Sequence, residues 1–375
     1  MSRARAWLEI TRISNLPTVV SNAIAGAAIG SIAILQRDFS TIGGSITTIG
    51  GALIVRSVEP SVAQFALLVP PFAYIGGMVL NDAFDAKVDA RERPGRPIPS
   101  GRITQRSAFF IGFLFLFTAL CFGWLADSMS TFVASTLLVG AVTLYDFVHT
   151  RSAASAFLLA LCRALAALVP MIAFTEGDLR LIATSGAFAL PLTLALWTLG
   201  LSIVARHEIS SLEDLRSVRC RTCDSLIRSG ATLCVECGNR IESSAQPPRA
   251  RWPQIFEPAR LMTVAPLLIA GVFLVVLPSA AFANRDGISD SELGRWLRIG
   301  IPLAFAIVAS WFAFRARLRL ERDRRTTPSV VALWIALLAL IDAIALAAVG
   351  QFLLATIAIG FSALTRRMQR SISGS

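Results

Sequence analysis

Residues 62–89 read VAQFALLVPPFAYIGGMVLNDAFDAKVD, and the two halves of that stretch obey different rules. The run from Val62 to Leu80 contains no charged side chain. A bilayer crossing needs roughly 20 mostly apolar residues to span about 30 Å of hydrocarbon, so this run reads as a transmembrane helix. Three aspartates follow at once: Asp82, Asp85 and Asp89. On a helix turning about 100° per residue they fall within an arc of about 60°. Three carboxylates on so narrow a stripe repel one another and are costly beside a membrane. A hard divalent cation would neutralise them, and Mg²⁺ commonly joins one or two carboxylates to substrate phosphates. A solvated helix end at the interface would also tolerate the aspartates.

The following residues bear on that choice. Arg91, Arg93 and Arg96 come directly after the carboxylates, then Pro97-Ile98-Pro99-Ser100-Gly101-Arg102. Guanidinium forks bind phosphate oxygens bidentately, and the Pro/Gly frame would hold the loop stiffly. A carboxylate stripe, a metal and an arginine loop together make a diphosphate site. Membrane orientation alone explains the arginines, but not the aspartates beside them.

Farther out, the apolar runs repeat. The chain has 375 residues, 55% hydrophobic and 16% charged, with a mean hydropathy of +0.65. Soluble domains hold about 25% charged residues, so a soluble globule, a disordered chain and a disulfide scaffold are all excluded. Span-sized runs fall at 17–36, 62–80, 107–126, 131–148, 155–174, 184–205, 260–283, 297–314, 330–347 and 350–366. Joined as one helix, 330–366 would be about 55 Å long, too long for one crossing. Gly350 offers the turn. The expected fold is all-α: a polytopic membrane bundle of nine core transmembrane helices with a tenth from 350–366.

The net charge of +11 does not point to nucleic acid, because Lys87 is the only lysine and the arginines gather in particular loops. The N-terminal stretch, 81–106, 149–151, 206–260, 315–325 and 366–370 are basic, whereas the alternate loops are not. By the positive-inside bias the N-terminal stretch and the 81–106 and 206–260 loops face the cytoplasm, in a bacterial-type inner or cytoplasmic membrane. The first apolar run lacks an A-x-A-like end and reads as an anchor. Segment 40–52, rich in Gly, Ser and Thr, reads as a flexible outer loop.

Asn81-Asp82-x-x-Asp85-x-x-x-Asp89, with Arg93-Pro94-Gly95-Arg96-Pro97-Ile98-Pro99-Ser100-Gly101, resembles the first signature of the UbiA superfamily of intramembrane prenyltransferases. Arg12-Ile13-Ser14-Asn15-Leu16-Pro17-Thr18, Asn22, Leu144-Tyr145 and Arg163 also look like the family. The resemblance covers residues 8–215, and the remainder only by its span pattern. It implies a helical bundle with a central cavity near the cytoplasmic face, where Mg²⁺ holds the diphosphate of a polyprenyl donor. Asn81, Asp82, Asp85 and Asp89 would bind that metal. Asn22, Arg93, Arg96, Arg102 and Arg163 would contact diphosphate, and Tyr145 would orient substrate or the departing group. The reaction implied is transfer of a polyprenyl group to an aromatic or other small acceptor through an allylic cation.

Some positions leave alternatives open. The family's second acidic stripe is degenerate here, with Glu208, Glu213 and Asp214 as the candidates for a second Mg²⁺. Either Glu208 pairs with one of the others or a single metal binds. An arginine inside a span is a functional candidate by default. Arg163 therefore contacts diphosphate or partners a helix carboxylate such as Asp342. Tyr145 equally suits an interfacial aromatic belt, and Asp146 and His149 follow at the same mouth.

One loop carries a separate signal. Cys220-x-x-Cys223 and Cys234-x-x-Cys237, ten residues apart, have the spacing of a closed four-thiolate Zn²⁺ site, structural rather than catalytic. A cytoplasmic loop keeps its thiols reduced, which disfavours disulfides. The chain thus divides into 1–215 (helices with the Asp-rich motif), a zinc-ribbon-like insertion at 216–242, a linker at 243–258 and C-terminal helices at 259–375. The ribbon would stiffen a lid or bind a protein partner. A rival to the enzyme is a catalytically weakened relative, serving as a lipid-binding or scaffold protein through that ribbon.

Overall fold

The computed structural model describes residues 3–42, 62–148, 155–219, 222–223, 226–228, 237, 239, 253–282, 292–322 and 326–371. His149, most of segment 40–52, residues 243–252 of the linker, and Cys220 and Cys234 lie outside them. So do the side chains of Glu208, Glu213 and Asp214.

Ten long helices form among the described residues. They are α2 (Leu16–Ile42), α3 (Val69–Phe84), α5 (Gln105–Leu125), α6 (Met129–Val148), α7 (Ser155–Phe174), α9 (Ala189–Arg216), α10 (Pro253–Phe282), α11 (Glu292–Arg322), α12 (Thr327–Ala348) and α13 (Phe352–Ser371). A short helix α1 (Arg3–Ile10) precedes them, and α4 (Ala86–Glu92) and α8 (Leu179–Thr184) lie between them. Two strands, β1 (Ser217–Arg219) and β2 (Leu226–Arg228), pair antiparallel, so the chain is not wholly helical.

Among the described residues eight helices are long and apolar enough to cross a membrane; Ala189–Ala205 is apolar but shorter, and α13 is not among the eight. The span expected at 184–205 starts later, because Gly186 adopts a positive φ of 73° and separates α8 from α9. Gly350, at φ 81°, makes the expected turn between α12 and α13.

Burial sorts the helices into layers. The crossing of α12 is 78% buried and that of α2 72%, against 28% for α5 and 22% for α11. Thus α2 and α12 form the interior, while α5 and α11 turn Phe110, Phe117 and Trp311 outward, as a lipid-facing surface requires. Packed pairs include α2 with α7, α2 with α12, α7 with α9, and α12 with α13, and one apolar core runs from Ala25 to Ala358. The α2–α7 seam is close. A Cβ added to Gly26 would strike the Ala167 carbonyl, and one on Gly30 would lie 2.7 Å from the Met171 oxygen. Small residues let membrane helices approach at such distances, where van der Waals contact rather than hydrophobic exclusion holds them.

Candidate active site

The aspartate stripe begins on α3 and ends on α4. The helix is interrupted at Asp85, but Asp85 N–H still donates to the Asn81 carbonyl at 3.0 Å and Asp89 N–H to that of Asp85 at 2.8 Å. The carboxylates therefore stay on one side. They do not converge as a trio: among the described residues no three acidic, histidine or cysteine side chains come close enough to share a metal. Asp82 and Asp89, both buried, face Arg96 instead. Arg96 Nη1 donates to Asp89 Oδ2 at 2.8 Å and lies 3.5 Å from Asp82 Oδ1. Two buried carboxylates need a counter-charge, and the guanidinium seven positions after Asp89 supplies it. Asp85 accepts a hydrogen bond from Asn81 Nδ2 at 3.2 Å.

The loop after α4 is as stiff as its composition suggests. Ser100 Oγ donates to the Arg96 carbonyl at 2.6 Å, and Ile103 N–H to that of Pro97 at 3.1 Å. Arg102 fastens the loop to α1, donating to Glu9 Oε2 at 3.1 Å and to the Gly95 carbonyl at 2.6 Å. Arg93 is exposed. Of the three loop arginines expected at diphosphate, then, Arg96 neutralises aspartates, Arg102 clamps the loop and Arg93 points to solvent.

Behind this mouth is a cavity of about 90 Å³ between α2, α3, α6 and α7. Its polar lining is Tyr74, Tyr145, Asp146, Cys162 and Arg163; the rest is apolar, with Val19, Leu138 and Val142 among it. Arg163 is held from α2: its Nη1 donates to Asn22 Oδ1 at 3.0 Å and to Thr18 Oγ1 at 3.4 Å. Asn22 is fully buried, and its Nδ2 donates in turn to both oxygens of Asp342 on α12, at 3.0 and 2.8 Å. Arg163 thus lines the cavity and also connects, through Asn22, to Asp342.

Arg12 joins mouth and cavity. Its Nη2 lies 3.5 Å from Asp82 Oδ1, and its carbonyl accepts from the Tyr74 hydroxyl at 3.1 Å. Burial alone would lower the Arg12 pKa, but Asp82, Tyr74, Tyr145 and Asp85 together outweigh it and the value is raised. Arg12 has a positive φ of 44°, a conformation costly for a non-glycine residue.

The mouth suits Mg²⁺ in kind. Its donors are oxygens, and Asp82 Oδ1 is buried without a hydrogen bond. Mg²⁺ needs only one or two carboxylates when substrate phosphates and water complete its shell.

A model of the UbiA prenyltransferase family matches residues 45–237, just over half of the chain. The chain belongs to the UbiA prenyltransferase family. Among curated UbiA-type relatives, a digeranylgeranylglyceryl phosphate synthase of Pyrococcus horikoshii is 38% identical over 98 residues, 24% of this chain and 35% of the relative. One from Korarchaeum cryptofilum is 31% identical over 123 residues, 33% of this chain and 42% of the relative. The chain thus spans well under half the length of these two relatives. A solved structure described as giving "structural and mechanistic insights into the biosynthesis of Digeranylgeranylglyceryl phosphate synthase in membranes" overlays 96% of this chain at 16% identity, with a TM-score of 0.49.

Sequence reading missed Tyr74 in this UbiA-family site. A signal was present, since the chain has 23 phenylalanines and only two tyrosines, and both tyrosines line the cavity. At the other motif, β1 and β2 pair antiparallel with Arg219 opposite Leu226, and Cys223 and Cys237 are exposed.

Proposed function

We propose that the protein transfers a polyprenyl group from a polyprenyl diphosphate to a small acceptor within the membrane. The observation that supports this most is Arg163: a guanidinium fixed inside an apolar cavity, close behind a mouth lined with aspartates and arginines. Among the described residues nothing accepts from its Nε or Nη2, so those hydrogens are available to a phosphate oxygen.

The C–O bond to the allylic carbon breaks, and its electron pair leaves with the diphosphate. A nucleophilic atom of the acceptor then bonds to that carbon and releases its proton. One or two of the Asp82, Asp85 and Asp89 carboxylates, with Asn81 beside them, would hold Mg²⁺, which would supply Lewis-acid neutralisation of charge on the leaving group. Arg163 supports the same charge from the cavity side. Val19, Leu138 and Val142 keep water from the allylic cation. The hydroxyl of Tyr145 orients donor or leaving group.

The relatives' names suggest a glyceryl phosphate carrying one geranylgeranyl chain as the first acceptor to try, with aromatic acceptors as the comparison. Orientation follows from charge: the 81–106 loop, Arg12 and the basic end of α13 share one end of the bundle, through Arg12–Asp82 and Gln369–Asn15. By the positive-inside bias that end faces the cytoplasm. The four cysteines suit a structural Zn²⁺ that would stiffen the loop after α9, where a protein partner could dock.

The test is Mg²⁺-dependent release of diphosphate from geranylgeranyl diphosphate by purified protein, with and without acceptor. No release with any acceptor, while the protein still binds lipid or a partner protein, would favour the scaffold reading.

A further inference from the structure

Asp342 is the most deeply buried acidic side chain among the described residues, fully enclosed within a membrane span. A carboxylate there is expensive unless it is bonded and counter-charged. It is bonded three times: Ser21 Oγ donates at 2.6 Å, and Asn22 Nδ2 donates to both of its oxygens. The counter-charge is Arg163, reached through the other end of the Asn22 amide.

The order of atoms in this relay matters. An asparagine amide presents a donor at one end and an acceptor at the other, and its neighbours decide which way it faces. A carboxylate accepts only and a guanidinium donates only. Asp342 therefore compels Nδ2 to face α12, which leaves Oδ1 facing Arg163. Were the amide reversed, an N–H₂ would oppose a guanidinium and Arg163 would lose its 3.0 Å anchor. Thr18 Oγ1, at 3.4 Å, is a poor substitute.

We propose that Asp342 is a positioning residue for the diphosphate of the donor, acting through Asn22 to hold the Arg163 guanidinium at the cavity wall. This rests on the prenyl-transfer reading above. Asp342 touches no reacting atom; it fixes the polarity of one amide. The device also makes the site depend on both parts of the chain, since Ser21, Asn22 and Arg163 lie on α2 and α7 and their common anchor on α12.

The test uses the full chain in nanodiscs and two probes. Binding of inorganic diphosphate with Mg²⁺ is measured by calorimetry, and turnover of geranylgeranyl diphosphate by diphosphate release. Asp342→Asn keeps the shape but offers an N–H₂ to the relay. It should weaken diphosphate binding about tenfold, the value of roughly one charge-assisted hydrogen bond. It should also raise the donor KM more than it lowers kcat. In an Arg163→Ala background the same change should weaken diphosphate no further. Ser21→Ala removes a bond to Asp342 that does not lead to Arg163, so diphosphate affinity should stay within about twofold, whereas Asn22→Ala should match Asp342→Asn. That pair decides the matter if Asp342→Asn does not accumulate in membranes.

Wild-type diphosphate affinity in Asp342→Asn, or equal losses in Ser21→Ala and Asn22→Ala, would overturn the proposal and leave Asp342 a packing element. Failure of the wild-type protein to bind diphosphate would instead remove the prenyl-transfer reading, and this proposal with it.

Discussion

Arg96 and Asp89 form a buried ion pair at 2.8 Å, at the point where Asp82 already has Arg12 as a second counter-charge. Removing the guanidinium should therefore act on folding as well as on substrate. Arg96→Ala is expected to lower stability by about 3–5 kcal/mol, the usual result of stranding a buried charge. It should also raise the donor concentration needed for half-maximal turnover. Thermal unfolding in detergent alongside a donor titration checks both; an unchanged melting temperature would show that the pair does not hold the loop.

Asp85 makes the opposite case. It is only partly buried, and it accepts a hydrogen bond from Asn81 Nδ2. Asp85→Ala should abolish turnover while changing stability by no more than about 1 kcal/mol. Asp89→Ala should lose both. Equal destabilisation by the two variants would contradict this division.

Tyr74→Phe removes one hydrogen bond, at 3.1 Å, to the carbonyl of a residue in a costly backbone conformation. A loss of about 1 kcal/mol in stability is expected. Donor KM should rise modestly as Arg12 relaxes away from Asp82. A kinetic titration beside a melting curve would read this.

Gly26→Val tests the α2–α7 seam, where a Cβ has no room beside the Ala167 carbonyl. Overpacking of this kind costs about 1–3 kcal/mol. Because Asn22 and Arg163 sit on the same two helices, diphosphate affinity should fall along with stability. A stable variant with unaltered affinity would mean that the helices can part without moving the site.

Metal analysis of the purified protein is expected to find one Zn²⁺ per chain, lost when Cys220 and Cys223 are both changed to Ser. Activity should then fall partly, not fully, because a four-thiolate site has no open position for substrate. Protein as isolated without zinc, or with a disulfide in the loop, would exclude this role.

Local pattern made most of the fold legible. The spans show as apolar runs, the α12–α13 turn as Gly350, and the aspartate side of the mouth as an i, i+3, i+7 spacing. What stayed hidden was tertiary. Tyr74 meets Arg12 across 62 positions, and Asn22 meets Asp342 across 320, distances at which no periodicity speaks. The Arg96 bridge was hidden for another reason: an arginine beside aspartates serves a phosphate or a neighbouring acid equally well, and only geometry shows which it faces here. The start of α9 was misplaced because 184–188 carries no charge to interrupt the run, and the break comes at Gly186 with its positive φ.

The hydrogen bonds from Ser21 and Asn22 to Asp342 span 321 and 320 positions, and that separation sets a timetable. Ribosomes add about 5–20 residues per second, so α2 waits roughly 15–60 s in the membrane before its acceptor is made. Through that interval the nascent chain has polar groups and then Arg163 in place with no carboxylate to receive them. A chaperone, water or the insertion machinery must shelter them meanwhile. The cavity can take its working form only once residue 342 has left the ribosome, so a protein stalled in the linker would be inserted yet unable to seat its own arginine.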